Sequence, residues 1–152
     1  MITCEIHGVE GLLQDFKGYE KEAGEAIKKS VTEVVTLIIK DAKMRLHTSL
    51  QKQPKHTRTG RLISSIMRKK EHERDQFEGV VGTDVEYAPY IEFGTGDLVE
   101  IPRGAEDVAA KYRGKGIRKV NIKAVSFLNY AAVKNSKKFI EALEKNLNKI
   151  AR

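Results

Sequence analysis

The sequence predicts an α+β domain in which a small antiparallel sheet packs against a long N-terminal helix and a C-terminal helix. Three observations carry that prediction. Apolar residues step by three and four from Ala23 to Leu46, they do so again from Leu128 to Ile150, and short strand-like segments lie between the two stretches. At 152 residues the chain fits one domain, spanning 1–152, with a single core. A chain of this size buries roughly 68–70% of the surface that its unfolded form exposes, enough to fold without staples.

Taken in order, Ile2, Cys4 and Ile6 alternate with Thr3, Glu5 and His7, the period of a short half-buried strand that Gly8 would end. Leu12, Leu13 and Phe16 suggest one or two helical turns closing near Gly18. Ala23, Ile27, Val31, Val34, Ile38, Ala42 and Leu46 form one apolar stripe, which predicts a helix from about Tyr19 to about Leu50. Its length would be on the order of 45 Å at ~1.5 Å per residue. The β-branched run at Val34, Val35, Ile38 and Ile39 should bury its middle, and Pro54 breaks the pattern within Gln51–Arg58. Thr59-Gly60-Arg61-Leu62 reads as a turn capped by Thr59, leading into Ile63 and Ile66.

Two strands are expected next, about Ser65 to Glu73 and Gln76 to Thr83, joined near Arg74-Asp75. Gly82-Thr83-Asp84 turns the chain, and a helical turn begun around Pro89 holds a compact aromatic run. Glycines at 94, 96, 104, 114 and 116, with Pro102, mark about 94–119 as a long loop. Loops of that length in compact domains are usually functional or mobile. Short strands near Leu98–Ile101 and Val120–Ile122 would frame it. Leu128, Ala132, Phe139, Leu143, Leu147 and Ile150 mark the C-terminal helix, with Asn135-Ser136 as a point of interruption.

Composition narrows the function. No apolar run reaches the ~18 residues of a membrane span, and the first residues lack a basic leader, so no secretion signal and no membrane partner are expected. Cys4 is the sole cysteine, which excludes an internal disulfide and suits a reducing cytoplasm. Net charge is +7, but it is laid out in blocks. Ala42–Lys70 carries nine bases and no acid, Glu71–Asp107 eleven acids and two bases, and Val108–Ile140 nine bases and no acid. Folding either interleaves these blocks into an ordinary mixed surface or leaves complementary faces suited to head-to-tail association.

Catalytic constellations are not evident. His7, His47, His56 and His72 are scattered, and Cys4 and His7 face opposite sides of one expected strand, so neither a metal nor a cofactor is expected. Ser64 and Ser65 sit in no nucleophile elbow, and nothing draws Glu86 and Glu92 into a shared cleft across Pro89. The chain therefore reads as no enzyme, and a small basic nuclease is disfavoured for the same reason. Gly94-Thr95-Gly96 and Gly114-Lys115-Gly116 do not continue into a phosphate loop. Sequence-independent DNA binding is the competing reading, through the basic stretches 43–70 and 111–123. Only Tyr112 among the aromatics is embedded in a basic loop, so a stacking platform is not apparent.

Two segments are more specific: Thr59-Gly60-Arg61-Leu62-Ile63-Ser64-Ser65-Ile66, and Val81-Gly82-Thr83-Asp84-Val85-Glu86-Tyr87-Ala88-Pro89-Tyr90-Ile91-Glu92-Phe93-Gly94-Thr95-Gly96. Together they resemble the neck and tail-completion (head–tail joining) protein family of long-tailed bacteriophages and prophages. That family pairs a Thr-Gly-x-Leu-x-x-Ser-Ile segment with a Gly-Thr…Tyr-Ala-Pro-Tyr-x-Glu-Phe-Gly-Thr segment. One departure is visible. Ser126-Phe127-Leu128-Asn129-Tyr130-Ala131 stands where family members usually have Pro-Phe-Leu-x-Pro-Ala.

The resemblance implies a virion structural protein, assembled in the bacterial cytoplasm at the head-proximal end of the tail. It implies a homo-oligomeric ring, commonly a hexamer, that completes or terminates the tail. The implied partners are the tail-tube protein and the head-connector proteins, with transient contact to the DNA that passes through. On this reading Glu92, Gly94, Thr95, Asp97, Lys111, Arg113, Lys115 and Arg118 are the expected subunit or partner interface. A carboxylate beside an aromatic cluster needs a partner, and the loop would order on a neighbour. Thr59, Gly60, Leu62, Ile66, Gly82, Tyr87, Pro89, Tyr90 and Phe93 are the motif's core and turn positions, with Tyr87, Tyr90 and Phe93 open to either core or interface.

Overall fold

The structure, a computed structural model, describes residues 2–6, 20–50, 60–69, 77–110 and 121–150. In chain order the elements are β1 (Ile2–Ile6), α1 (Glu20–Leu50), α2 (Gly60–Ser65), β2 (Met67–Arg68), β3 (Gly79–Thr83), α3 (Ala88–Phe93), a 3-10 turn (Gly96–Leu98), α4 (Glu106–Ala110) and α5 (Phe127–Leu147). The architecture is α+β, as the periodicities predict.

α1 forms because apolar residues recur on one side of it, and the stripe is wider than the seven-residue reading. Ala26, Ser30 and Val35 join Ala23, Ile27, Val31, Val34, Ile38, Ala42 and Leu46 below the surface. α5 packs antiparallel along it. Ser30 near the start of α1 meets Ala142 and Asn146 near the end of α5, while Asp41 and Arg45 meet the first half of α5 and the residues before it. Each fully buried aliphatic side chain in this seam contributes about 1.5–3 kcal/mol relative to leaving it in water.

The sheet is antiparallel in the order β1-β3-β2, with Cys4 opposite Val81 and Met67 opposite Gly82. β3 is central, and Gly82 is required there because a Cβ would lie 2.5 Å from the Ile2 carbonyl oxygen of the neighbouring strand. The alternation read at the N-terminus holds: Ile2 is buried and Thr3 and Glu5 are exposed.

Several boundaries differ from the sequence reading. The strand expected over Ser65–Glu73 is confined to Met67–Arg68, because Ser65 still belongs to α2, where its hydroxyl donates to the Leu62 carbonyl at 2.8 Å. The next strand begins at Gly79 rather than Gln76. No strand forms at Leu98–Ile101; Gly96–Leu98 is a 3-10 turn, and Glu100 donates a single backbone bond to Phe93 at 2.8 Å. The residues from 121 to 126 run without regular structure into α5, so no strand is seen at Asn121-Ile122 either. α5 passes through Asn135-Ser136 without a break; the Asn135 amide nitrogen donates inside the helix seam to Asp41 and to the Ala131 carbonyl, the ordinary helical acceptor one turn back. The helical turns expected at Leu12–Phe16, the Thr59 cap, the 70–76 part of the hairpin and the 111–120 part of the loop lie outside the described residues.

Candidate functional site

The second motif segment builds a joint. From the end of β3, Thr83 accepts a bond from the Val85 amide at 3.2 Å and shares one of 2.6 Å with Ser65, which ties α2 to the central strand. The two motif segments are thus linked through their own hydroxyls. Ala88 then donates to Val85 at 3.0 Å, Pro89 supplies the fixed φ suited to a first turn, and α3 carries Ile91, Glu92 and Phe93 inward.

The last carbonyls of α3 have no intrahelical donors and must find others. They find them in the segment leading into α5: Val125 donates to Ile91 at 2.8 Å and Ser126 to Glu92 at 3.1 Å, while Glu100 donates to Phe93. Ser126 is the only non-glycine residue with positive φ among the described residues, at φ 50 and ψ 52. That conformation costs on the order of 1 kcal/mol, which the bond to Glu92 helps offset.

α5 has no cap from its own N-cap side chain. The carboxylate of Glu92 supplies one from across the joint: the Leu128 amide donates to Oε2 at 3.0 Å and the Asn129 amide to Oε1 at 2.9 Å. Glu92 is 1% exposed. Burial pushes its carboxyl above the ordinary value of 4.5, against the pull of the Asn129, Leu128 and Phe127 amides and of Arg45. Gly94 closes the joint. Its φ is +80, and a Cβ there would lie 2.5 Å from the Leu98 oxygen and 2.8 Å from the Ile122 oxygen. Thr95, also buried, pairs reciprocally with Ile122: its amide donates to the Ile122 carbonyl and its hydroxyl accepts from the Ile122 amide, both at 2.9 Å.

A second cluster lies along the α1–α5 seam. Asp41 accepts from Asn135 at 2.8 Å and pairs with Lys134 at 3.1 Å. The Asn135 amide first, and Lys134 and Lys138 after it, hold the Asp41 carboxyl below the ordinary carboxylate value of 3.8. Arg45 donates to the Val125 carbonyl at 3.0 Å while its guanidinium lies 4.1 Å from the Tyr130 ring centroid. Asp41, Arg45, Tyr130 and Lys134 line a shallow cavity of about 280 Å³ together with Met44, Thr48 and Ser49.

The expected interface residues are therefore distributed unequally. Glu92, Gly94 and Thr95 are buried within the chain, and the carboxylate of Glu92 finds its partner at the N-terminus of α5 in the same chain. Asp97 is exposed. Lys111, Arg113, Lys115 and Arg118 lie outside the described residues. Of the motif positions, Leu62, Ile66, Gly82, Pro89 and Phe93 are buried, Tyr90 is half-buried, and Gly60 and Tyr87 are exposed.

Sequence reasoning missed the Asp41–Asn135 and Ser30–Asn146 bonds. Polar residues in the phase of an apolar stripe were the available signal, since Asn135 falls one turn after Ala131 and Ser30 one turn before Val34. The basic block 43–70 is partly spent inside the chain: Arg45 is bound as above, Arg68 donates to Thr32 at 3.2 Å and Lys69 pairs with Asp84. Among the described residues no group of three or more His, Cys, Asp or Glu side chains could hold a metal, and no helix is long and apolar enough to cross a membrane.

Residues 10–94 match the model of a family described as "Bacteriophage HK97-gp10, putative tail-component". The match covers more than half of the chain and ends at Gly94, the closing residue of the joint. No curated protein and no solved structure matches the chain.

Proposed function

Because this chain belongs to the HK97-gp10-like family of bacteriophage tail components, we propose that it is a virion structural subunit at the head-proximal end of the tail, where it forms a ring that completes or terminates the tail and joins it to the head connector. The observation that carries this reading is how the motif residues are used. Ser65 and Thr83 bind α2 to the sheet, Glu92 binds α3 to the N-terminus of α5, and Thr95 binds Ile122 in the segment leading into α5. These polar groups bond one another or the backbone of the segment entering α5, within the frame of the subunit. A frame locked in this way presents a fixed outline, and a ring closes only if every subunit repeats the same angle to the next.

The test is assembly. The mass of the purified protein is measured by light scattering and native mass spectrometry across concentration and salt, and its binding to tail tubes by co-sedimentation. A closed oligomer, or stoichiometric capping of tube ends, supports the proposal. A chain that neither self-associates nor binds tube or connector protein refutes it.

A further inference from the structure

α5 has a buried side and an exposed one, at whose N-terminal edge Tyr130 also meets Arg45. Ala131, Asn135, Leu143 and Asn146 are buried, whereas Tyr130 is 39% exposed, Val133 66% and Ile140 58%. Their helical positions place the three apolar side chains on one stripe about 15 Å long. Lys137 falls within the stripe and Lys138 beside it, whereas Lys134 is already paired with Asp41, and between Phe127 and Ile140 the helix carries no acid. A second set of exposed apolar residues lies among charges of the opposite sign. In the segment 97–108, Leu98 is 43% exposed, Val99 40% and Val108 38%, among the exposed acids Asp97, Glu100, Glu106 and Asp107 and the single base Arg103. Both surfaces are open to solvent in the single chain, so they do not cover one another within it.

Resting on the ring reading above, we propose that the α5 stripe of one copy docks on the 97–108 segment of the next. The occupant is a second copy because this chain itself supplies both halves: apolar against apolar, with lysines facing acids. Two different faces of one subunit meeting in this way make a heterologous contact, which generates a ring when the rotation closes. The charges fix register and disfavour stripe-on-stripe pairing, where lysine would face lysine. Buried Glu92 takes no part. Asp97, expected at the boundary from the sequence, lies on the acidic half.

The experiment is a charge swap read by sedimentation velocity and native mass spectrometry at low ionic strength. One variant carries Lys137→Glu and Lys138→Glu, and another carries Glu106→Lys and Asp107→Lys. Alone, each places like charges across the contact and should associate about tenfold or more weakly than wild type. Mixed in equal amounts, the two should assemble alternately and recover wild-type association to within about threefold, a rescue that misfolded chains do not show. Ile140→Ser, at a solvent-facing position, should also weaken association without changing the melting temperature. If both reversals assemble like wild type, the docking is wrong and the ring must close through another surface. If wild type stays monomeric at every concentration, docking between copies is overturned, and tail-tube binding alone decides the reading on which it rests.

Discussion

Replacing Glu92 removes the cap of α5 from a residue 36 positions away in the chain. In Glu92→Ala the amides of Leu128 and Asn129 lose their acceptors, the first at a buried site and the second at a part-buried one. An unsatisfied buried amide costs about 1–3 kcal/mol, and a lost N-cap typically about 1 kcal/mol. Relief of the burial penalty on the carboxylate, visible as its raised pKa, works in the other direction. The net loss should be about 2–4 kcal/mol, or a melting temperature lower by roughly 5–15 °C for a chain of this length.

Glu92→Gln separates charge from shape. Because the folded carboxyl titrates above 4.5, the folded chain binds the proton more tightly than the unfolded one. The stability this provides is complete below 4.5 and is lost as pH rises through the folded value. The advantage of wild type over Glu92→Gln should therefore widen as pH falls toward 4.5. Urea unfolding followed by circular dichroism across pH measures both effects. An Ala variant within about 0.5 kcal/mol of wild type would refute the capping argument, and a gap to Gln that widens with rising pH would refute the upward shift of the buried carboxyl.

Asp41→Ala should cost about 1–2 kcal/mol at neutral pH through loss of the Asn135 bond. Since the Asp41 carboxyl is held below 3.8, that advantage of wild type should disappear as pH falls through the folded value, measured in the same unfolding series. Gly94→Ala meets both a positive φ and rigid carbonyls, so a loss of about 2–4 kcal/mol is expected by thermal melting. Gly60→Ala, with nothing within 4 Å of its Cβ, should leave stability unchanged or raise it by up to about 1 kcal/mol. In gel-shift titrations with duplex DNA no retardation is expected at physiological salt, because Arg45, Arg68 and Lys69 are bound in-chain; tight binding with a steep salt slope would restore the DNA-binding reading.

Periodicity made the two long helices and the N-terminal strand legible, because their burial follows from spacing along one element. Strand lengths were less legible. Met67–Arg68 stops early because the preceding helix runs on through Ser65, a competition between neighbours that local pattern does not register. The uninterrupted course of α5 through Asn135 was hidden for a related reason. An asparagine reads as a breaker until its partner is known, and that partner, Asp41, lies 94 residues away.

The motif residues show the same division. Residue type and spacing determined that Pro89 starts a helical turn and that Glu92 needs a partner, whereas the closed backbone position of Gly94 emerges only in the fold. Tertiary structure alone decided which partner. A carboxylate beside an aromatic cluster is satisfied equally by a cation on a neighbouring subunit or by amides in its own chain. The choice depends on where α5 begins in space, and that is set by the packing of α5 on α1. Likewise, the sequence determined the alternating blocks of charge, but only the fold decided which of those charges turn inward, as Arg45 and Glu92 do, and which stay at the surface, as Lys137 and Asp107 do. Charge is a property of composition, whereas exposure is a property of packing.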